Sequence, residues 1–215
     1  MKVQWLGHAC FMITSDAGTK IITDPYVTGG ALSYDEIKET ADIVTVSHDH
    51  GDHDNPAAVR GNPEVVKGAV TKKIKGIEFS GIPTYHDDAG GKSRGNNTIF
   101  CFEVDGLRVC HLGDLGHQLS DKQAAELGRV DVLLIPVGGF FTIDAEVAGQ
   151  VCNQLQPKVI IPMHYKTAKC DFPIAGVDEF LKGKEGVNRL DASEVELKQA
   201  ELPATTQIIV LRPAL

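Results

Sequence analysis

The chain has no Cys-x-x-Cys pair. Its 5 cysteines (Cys10, Cys101, Cys110, Cys152 and Cys170) are odd in number and sit mostly in apolar runs. That pattern speaks against a paired-thiol motif and predicts buried free thiols, as suits a reducing cytoplasm. No apolar run approaches the length that crosses a bilayer. Residues 1–6 read at once as a strand, without the charged-then-apolar leader of an exported protein. The expectation is a cytoplasmic protein with no membrane partner. Basic charge is also scarce: 21 Lys and Arg stand against 29 Asp and Glu, a formal net charge of −8. Proteins that wrap a polyphosphate backbone present a basic face, whereas Lys72-Lys73 and Lys182–Lys184 are short and isolated. Nucleic acid is therefore not an expected partner. A single anionic metabolite needs only one or two donors and a metal, and stays open. No linker, composition shift, low-complexity segment or internal repeat divides the sequence, so one domain over residues 1–215 is expected. At 215 residues, 42% hydrophobic and 23% charged, the chain can bury a sizeable core.

What the sequence does have is concentrated histidine. Of 8 His, three fall within six residues beside a carboxylate, as His48, His50, Asp52 and His53 in Val46-Ser-His-Asp-His-Gly-Asp-His53. Neither core packing nor a solvated surface needs that density of imidazole and carboxylate, but a metal does. In extended backbone, residues i and i+2 project the same way, so His48 and His50 can grip one ion. If the chain turns near residue 52, Asp52 and His53 point elsewhere and can hold a second. Imidazole and carboxylate donors suit Zn²⁺, Mn²⁺ or Fe. Asp49 reads as a cap or a hydrogen-bonding neighbour.

Short strands dominate the first half. Val3–Trp5, Cys10–Ile13 and Lys20–Thr23 read as an antiparallel meander, and Ile43–Val46 as the strand from which the His cluster hangs. Ser33-x-x-Glu36 has capping-box spacing and predicts a short helix to about Thr40. Asn55-Pro56 starts a helical turn. Further strands are expected at 64–67, 70–71, 77–79, 81–85, 98–104 and 107–110, with Asp105-Gly106 as a hairpin turn. Residues 86–97 form a polar, Gly-rich loop. After 115 strands and helices alternate: helices at 120–127, 143–155 and 177–181, buried strands at 130–137 and 159–161, and closing strands at 194–198 and 206–211.

His48-x-His50-x-Asp52-His53 after a strand resembles the metal motif of the metallo-β-lactamase superfamily, and the resemblance extends over nearly the whole chain. Asp24, His86, Asp114 in Gly113-Asp114 and His164 in Pro162-Met-His164 fall in the order of that superfamily's other motifs. Trp5-Leu-Gly-His8, Asp24-Pro25, the 86–98 loop and His111-Leu-Gly-Asp-Leu-Gly-His117 resemble one subgroup of metal-dependent hydrolases. That subgroup is close to the L-ascorbate-6-phosphate lactonases and more distant from N-acyl-phosphatidylethanolamine phospholipase D. The resemblance implies an α/β fold, a four-layer αββα sandwich, with a site for two divalent transition metal ions at one edge of the sheets. It places His48, His50 and His86 on the first ion, Asp52, His53 and His164 on the second, and Asp114 between them. It also implies a homo-oligomer, for which the sequence shows no interface pattern.

Such a pair of ions lowers the pKa of a shared water to about 7, which implies a metal-bridging hydroxide attacking a small ester, lactone or phosphorylated metabolite. Asp52, Asp114 and His117 are the expected catalytic residues. His111 competes with His86 as a ligand and otherwise supports the site through hydrogen bonds, as does Asp24. His8 and His117 are read as substrate contacts or proton donors, and Arg94 and Asn97 as substrate-binding groups in the 86–97 loop. The competing reading is a phosphodiesterase acting on nucleic acid or a phospholipid head group. A third is a metal with a purely structural role.

Overall fold

Side-chain alternation builds this protein from two sheets. In the computed structural model, which describes residues 1–215, β1 (Lys2–Gly7), β2 (Cys10–Thr14), β3 (Lys20–Thr23), β4 (Ile43–Val46) and β5 (Glu64–Lys67) follow in that spatial order. β13 (Glu194–Glu196) lies outside β1 and completes a six-stranded sheet. Val3, Trp5, Phe11, Ile13, Ile21 and Ile43 enter the main core between the sheets. Their neighbours of opposite parity, Leu6, Cys10, Ile22, Val44 and Val46, enter a second core on the outer face. Both faces of this sheet are thus covered, as its apolar pattern demands.

The second sheet has eight strands. β6 (Thr71–Ile74), β7 (Ile77–Tyr85), β8 (Asn96–Val104) and β9 (Leu107–His111) form antiparallel hairpins. β10 (Val132–Pro136), β11 (Val159–Met163), β14 (Gln207–Val210) and β12 (Val187–Arg189) then extend the sheet in parallel from β9. Parallel neighbours require crossovers, and α1 (Asp121–Leu127) and α2 (Ala145–Leu155) supply them before β10 and β11. Ser120 and Gln123 make a reciprocal capping box at α1, and Asp144 caps α2 by accepting from the Val147 N–H. α2 buries Ala148, Val151, Cys152 and Leu155, and α3 (Val177–Leu181) packs beside it. No helix is long and apolar enough to cross a membrane.

Two expectations need correction. The helix from Ser33 to Thr40 does not form. Thr28 Oγ1 donates to the Tyr34 carbonyl and Tyr26 Oη to the Asp35 carbonyl. Those acceptors are therefore taken by side chains rather than by amides four residues on, and Tyr34 and Ile37 are buried in the outer core by an irregular segment instead. The cysteines are not all free thiols either. The Asp105-Gly106 hairpin sets Cys101 directly opposite Cys110, and the two are joined as a disulfide; Cys10, Cys152 and Cys170 remain free and buried.

The strand directions position the site. β1 and β3 run parallel to β4, and β7 runs parallel to β9, β10 and β11. His8, Asp24, Ser47–His53, His86, Asp114 and His164 each follow the C-terminal end of one of these strands. Bonds between the sheets tie the ends together: Thr98 N–H donates to the Ser47 carbonyl at 2.9 Å and His164 N–H to the His8 carbonyl at 3.1 Å.

Candidate metal centre

The loop after β4 begins extended and then turns. His53 and Asp54 N–H both donate to the His50 carbonyl at 2.9 Å, which redirects Asp52 and His53 away from His48 and His50. The result is three overlapping sets of donors. His48, His50 and His86 form one, His8, Asp52, His53 and His164 another, and Asp24, His48 and His53 a third that links them, with ligand atoms in each set within 4.8 Å of one another. Asp114 lies between the first two. Its Oδ2 is 3.2 Å from His86 Nε2, 3.3 Å from His164 Nε2 and 3.9 Å from His48 Nε2, and its Oδ1 is 3.2 Å from His53 Nε2. The Asp114 loop reaches this position because Gly116 crosses the 86–87 backbone: a Cβ there would lie 2.3 Å from the His86 carbonyl carbon.

Asp24 sets the orientation of the whole cluster. It is fully buried at a positive φ of 39°. Its Oδ1 accepts from Ser47 N–H at 2.8 Å, and its Oδ2 accepts from Ser47 Oγ and from His53 Nδ1 at 2.9 Å. With the Ser47 hydroxyl proton directed to Asp24, His48 Nδ1–H donates to Ser47 Oγ at 2.9 Å. The lone pairs of His48 and His53 therefore sit on Nε2, that of His48 lying 3.0 Å from His50 Nδ1 and that of His53 facing Asp114. His8 and His164 share the left-handed backbone, with φ of 52° and 50°. Such strain gathers where surrounding structure holds a site in place.

The residues fit a cation. His53 Nε2 and Asp114 Oδ1 are buried, close together and without hydrogen-bond partners. Buried polar atoms are rarely left so, and a divalent ion would satisfy both lone pairs. The electrostatics agree. Burial opposes a charge on His53, but the Asp114, Asp24 and Asp52 carboxylates outweigh it and raise its pKa well above the usual value, so the pocket demands positive charge there. Burial would raise Asp114, yet His164 and His53 hold it well below the carboxylate range. Burial, reinforced by His53, pushes His48 down to about 3. Burial and His164 push His8 to about 3, and burial and His86 lower His50. These rings present neutral lone pairs at neutral pH, the form that ligates metal. Donors that are all imidazole nitrogen and carboxylate oxygen, without thiolate, suit Zn²⁺, Mn²⁺ or Fe.

The other predicted residues separate clearly. His111 is buried, with Nε2 donating to the Ala9 carbonyl at 2.8 Å and Nδ1 accepting from Gly113 N–H at 3.2 Å. Both ring nitrogens are engaged, so it braces the Asp114 loop and leaves His86 beside the cluster. His117 does not join the site: its Nδ1 donates to the Gln118 carbonyl, its Nε2 accepts from Tyr85 N–H, and its ring neighbour is Tyr85. With both nitrogens committed to backbone, it has none to offer as a proton donor. Asn97 is 1% exposed and is no substrate contact. Its Nδ2 donates to Thr84 Oγ1 at 2.8 Å and to the Leu112 carbonyl at 3.0 Å, and its Oδ1 accepts from Asp114 N–H at 2.9 Å. His8 is 0% exposed and turns Nε2 to Asp52 Oδ2 at 3.3 Å, so it belongs to the donor group rather than to a substrate-facing surface. Asp49 is exposed and pairs with Lys67 instead of capping the loop.

Arg94 does line a cleft, together with His48, His50, Lys67 and Thr98. What holds it there is Asp87, a residue the sequence reading passed over. Its two carboxylate oxygens accept from Ala89, Gly91, Ser93 and Arg94 N–H at 2.7–2.9 Å, closing the 87–94 loop around one side chain. An acid followed by a run of glycines and small polar residues was the available signal.

A mixed α/β sandwich of two sheets, with histidines and aspartates gathered at the strand ends of one edge, defines the metallo-β-lactamase fold. Residues 2–164 match the beta-lactamase superfamily domain. The chain is 32% identical to a UPF0173 metal-dependent hydrolase of Archaeoglobus fulgidus, over 94% of this chain and 97% of the relative. It is also 32% identical to one of Pyrococcus abyssi, over 78% and 85%. A Thermotoga maritima crystal structure assigned to the metallo-beta-lactamase superfamily superposes with a TM-score of 0.81 at 40% identity, over 98% of this chain and 97% of that one. A metallo hydrolase of Ignicoccus hospitalis shares the fold, with a TM-score of 0.68 at 24% identity over 99% and 95%. The chain belongs to the UPF0173 metal-dependent hydrolase family of this superfamily.

Proposed function

We propose that the protein is a dinuclear metal-dependent hydrolase acting on a small ester, lactone or phosphorylated metabolite. The observation that supports this most directly is the placement of Asp114, whose two oxygens face histidines of both donor groups. When bound, a pair of divalent ions supplies a water of lowered pKa and a Lewis acid for the substrate oxygen. The chain supplies the rest. His48, His50 and His86 would hold one ion and Asp52, His53 and His164 the other, with Asp114 placed between the two sets of donors. Asp24 fixes the ring of His53, and Asp87 fixes the loop that carries Arg94. The Arg94 guanidinium matches a phosphate or carboxylate in two-pronged geometry, which selects substrates with an anionic group. The free thiols take no part: burial raises all three, Cys152 to about 12.

Elemental analysis combined with a hydrolysis panel of lactones, thioesters and phosphodiesters tests this. Close to two transition metal ions per chain and turnover lost in His50→Ala are expected. Protein purified without chelator that carries no metal, or His50→Ala with full activity, would overturn the proposal.

A further inference from the structure

The cleft beside His48 and His50 has no apolar lining of its own, but its Arg94 borders an aromatic cluster in which Phe141 and Phe172 pack against the outer core. Phe140 is 63% exposed, the most exposed of the large apolar side chains, and sits at a positive φ of 62°. A bulky non-glycine residue in that region is strained, and beyond an edge-on contact with Phe141 the ring is left to solvent. Two contacts from Arg94 hold the segment in place, and a close backbone approach fixes its start. Arg94 Nη2 donates to the Phe140 carbonyl at 3.0 Å. The guanidinium carbon also lies 5.6 Å from the centre of the Phe141 ring, a cation–π arrangement. Gly138 lies so close behind His164 that a Cβ would meet the His164 carbonyl oxygen at 2.3 Å, which pins the start of the loop to the metal centre.

From this anchor the aromatic rings form a continuous path to the surface. His8 is 5.8 Å from Phe172, Phe172 is 5.3 Å from Phe141, and Phe141 is 4.7 Å from Phe140. His8 in turn lies 4.0 Å from His164. Arg94 is common to the aromatic wall and to the polar cleft beside His48 and His50. Only its Nη2 bonds to the 138–143 loop, so its other donors remain for a ligand.

We infer that Phe140, Phe141 and Phe172 form a substrate subsite for an aryl or medium-length acyl group carried next to the anionic, hydrolysable end. This rests on the hydrolase reading above and narrows it: the substrate is amphiphilic, with its anion on Arg94 and the metals and its apolar part on the phenyl wall.

Equilibrium binding of 3-phenylpropionate and acetate to the metal-loaded protein, by calorimetry or ligand-observed NMR, tests the subsite without requiring turnover. The phenyl compound is expected to bind at least about tenfold more tightly, a difference of about 1.4 kcal/mol. Phe140→Ala and Phe141→Ala should each reduce that ratio at least about threefold and leave acetate binding unchanged, while Phe140→Leu retains most of it. Equal binding of the two compounds, or a ratio that neither alanine variant moves, overturns the subsite. So does a dimer by light scattering that dissociates in Phe140→Ala, because the ring then serves an interface between copies. Discrimination between the probes without any hydrolysis keeps the subsite and removes the hydrolase reading. Hydrolysis without discrimination does the reverse.

Discussion

Asp24 Oδ2 lies 2.9 Å from His53 Nδ1, and both side chains are fully buried. The carboxylate fixes which nitrogen of His53 carries the proton and so turns the other toward Asp114. Groups that orient a metal-binding histidine in this way change metal affinity by about 10–100-fold when removed. Asp24→Ala is expected to weaken metal binding by about that factor, measured by competition with a chromophoric chelator. Asp24→Asn, which keeps the shape and loses the charge, should fall between that variant and the wild type.

Asp114 faces histidines of both donor groups. Asp114→Ala is expected to lower metal content from about two ions per chain to about one or fewer and to abolish hydrolysis. Elemental analysis on the purified variant decides this. Retention of two ions would show that the groups bind independently.

The Asn97 side chain bonds three buried groups, the Thr84 hydroxyl, the Leu112 carbonyl and the Asp114 amide, and of these the Thr84 hydroxyl also donates to the Asn97 backbone carbonyl at 3.2 Å. Truncating one partner leaves buried groups short of a bond, at a cost of about 1–3 kcal/mol. Thermal or urea unfolding of the metal-free Asn97→Ala protein should show a loss of that size. Because the Asp114 amide is among them, activity should fall as well, through kcat rather than KM.

Asp87 predicts a pH dependence. Burial works against its charge, but the Arg94, Ser93, Gly91 and Ala89 amides outweigh it and hold the carboxyl near about 2, below the ordinary 3.8. A depressed acid contributes fully above its unfolded value and loses that contribution as pH falls through its folded one. Amide exchange at these four residues should therefore stay as slow at about pH 4 as at neutrality, after correction for intrinsic rates, and accelerate only as pH approaches 2. In Asp87→Ala they should exchange fast at every pH, and trypsin should cut after Lys92 and Arg94.

Chelation should destabilise the fold. An ion present at a hundredfold excess over its Kd stabilises the protein that binds it by about 2.7 kcal/mol. Scanning calorimetry with and without chelator should show a lower melting temperature in the stripped protein, restored by Zn²⁺ or Mn²⁺.

Much of this was legible in the residues because the information was local. The metal loop can be read from spacing alone, since extended backbone followed by a turn sends His48 and His50 one way and Asp52 and His53 another. The strand pattern was legible for the same reason, and so was the hairpin at Asp105-Gly106. The same hairpin register sets the disulfide: counting outward from the turn pairs Val104 with Leu107 and then, three steps on, Cys101 with Cys110. What failed was whatever depended on partners distant in sequence. Asn97 looks like any polar residue of a glycine-rich loop until β7 and the 112–114 segment close over it. Ser33-x-x-Glu36 has the local code for a helix start, and it loses to the Thr28 and Tyr26 hydroxyls. Phe140 and Phe141 lie past the end of the 130–137 strand and carry no local mark of their placement, because exposure and backbone sign are not written in composition.

The donors hang from strand ends that are spread from residue 8 to residue 164 and belong to both sheets. No contiguous piece of the chain holds more than part of either donor group, so the closure entropy of these long loops is met by the docking of the sheets before an ion can be held firmly. Metal capture is therefore a checkpoint on assembly rather than a seed for it: a chain whose sheets have not met face to face stays metal-free, however intact its histidines.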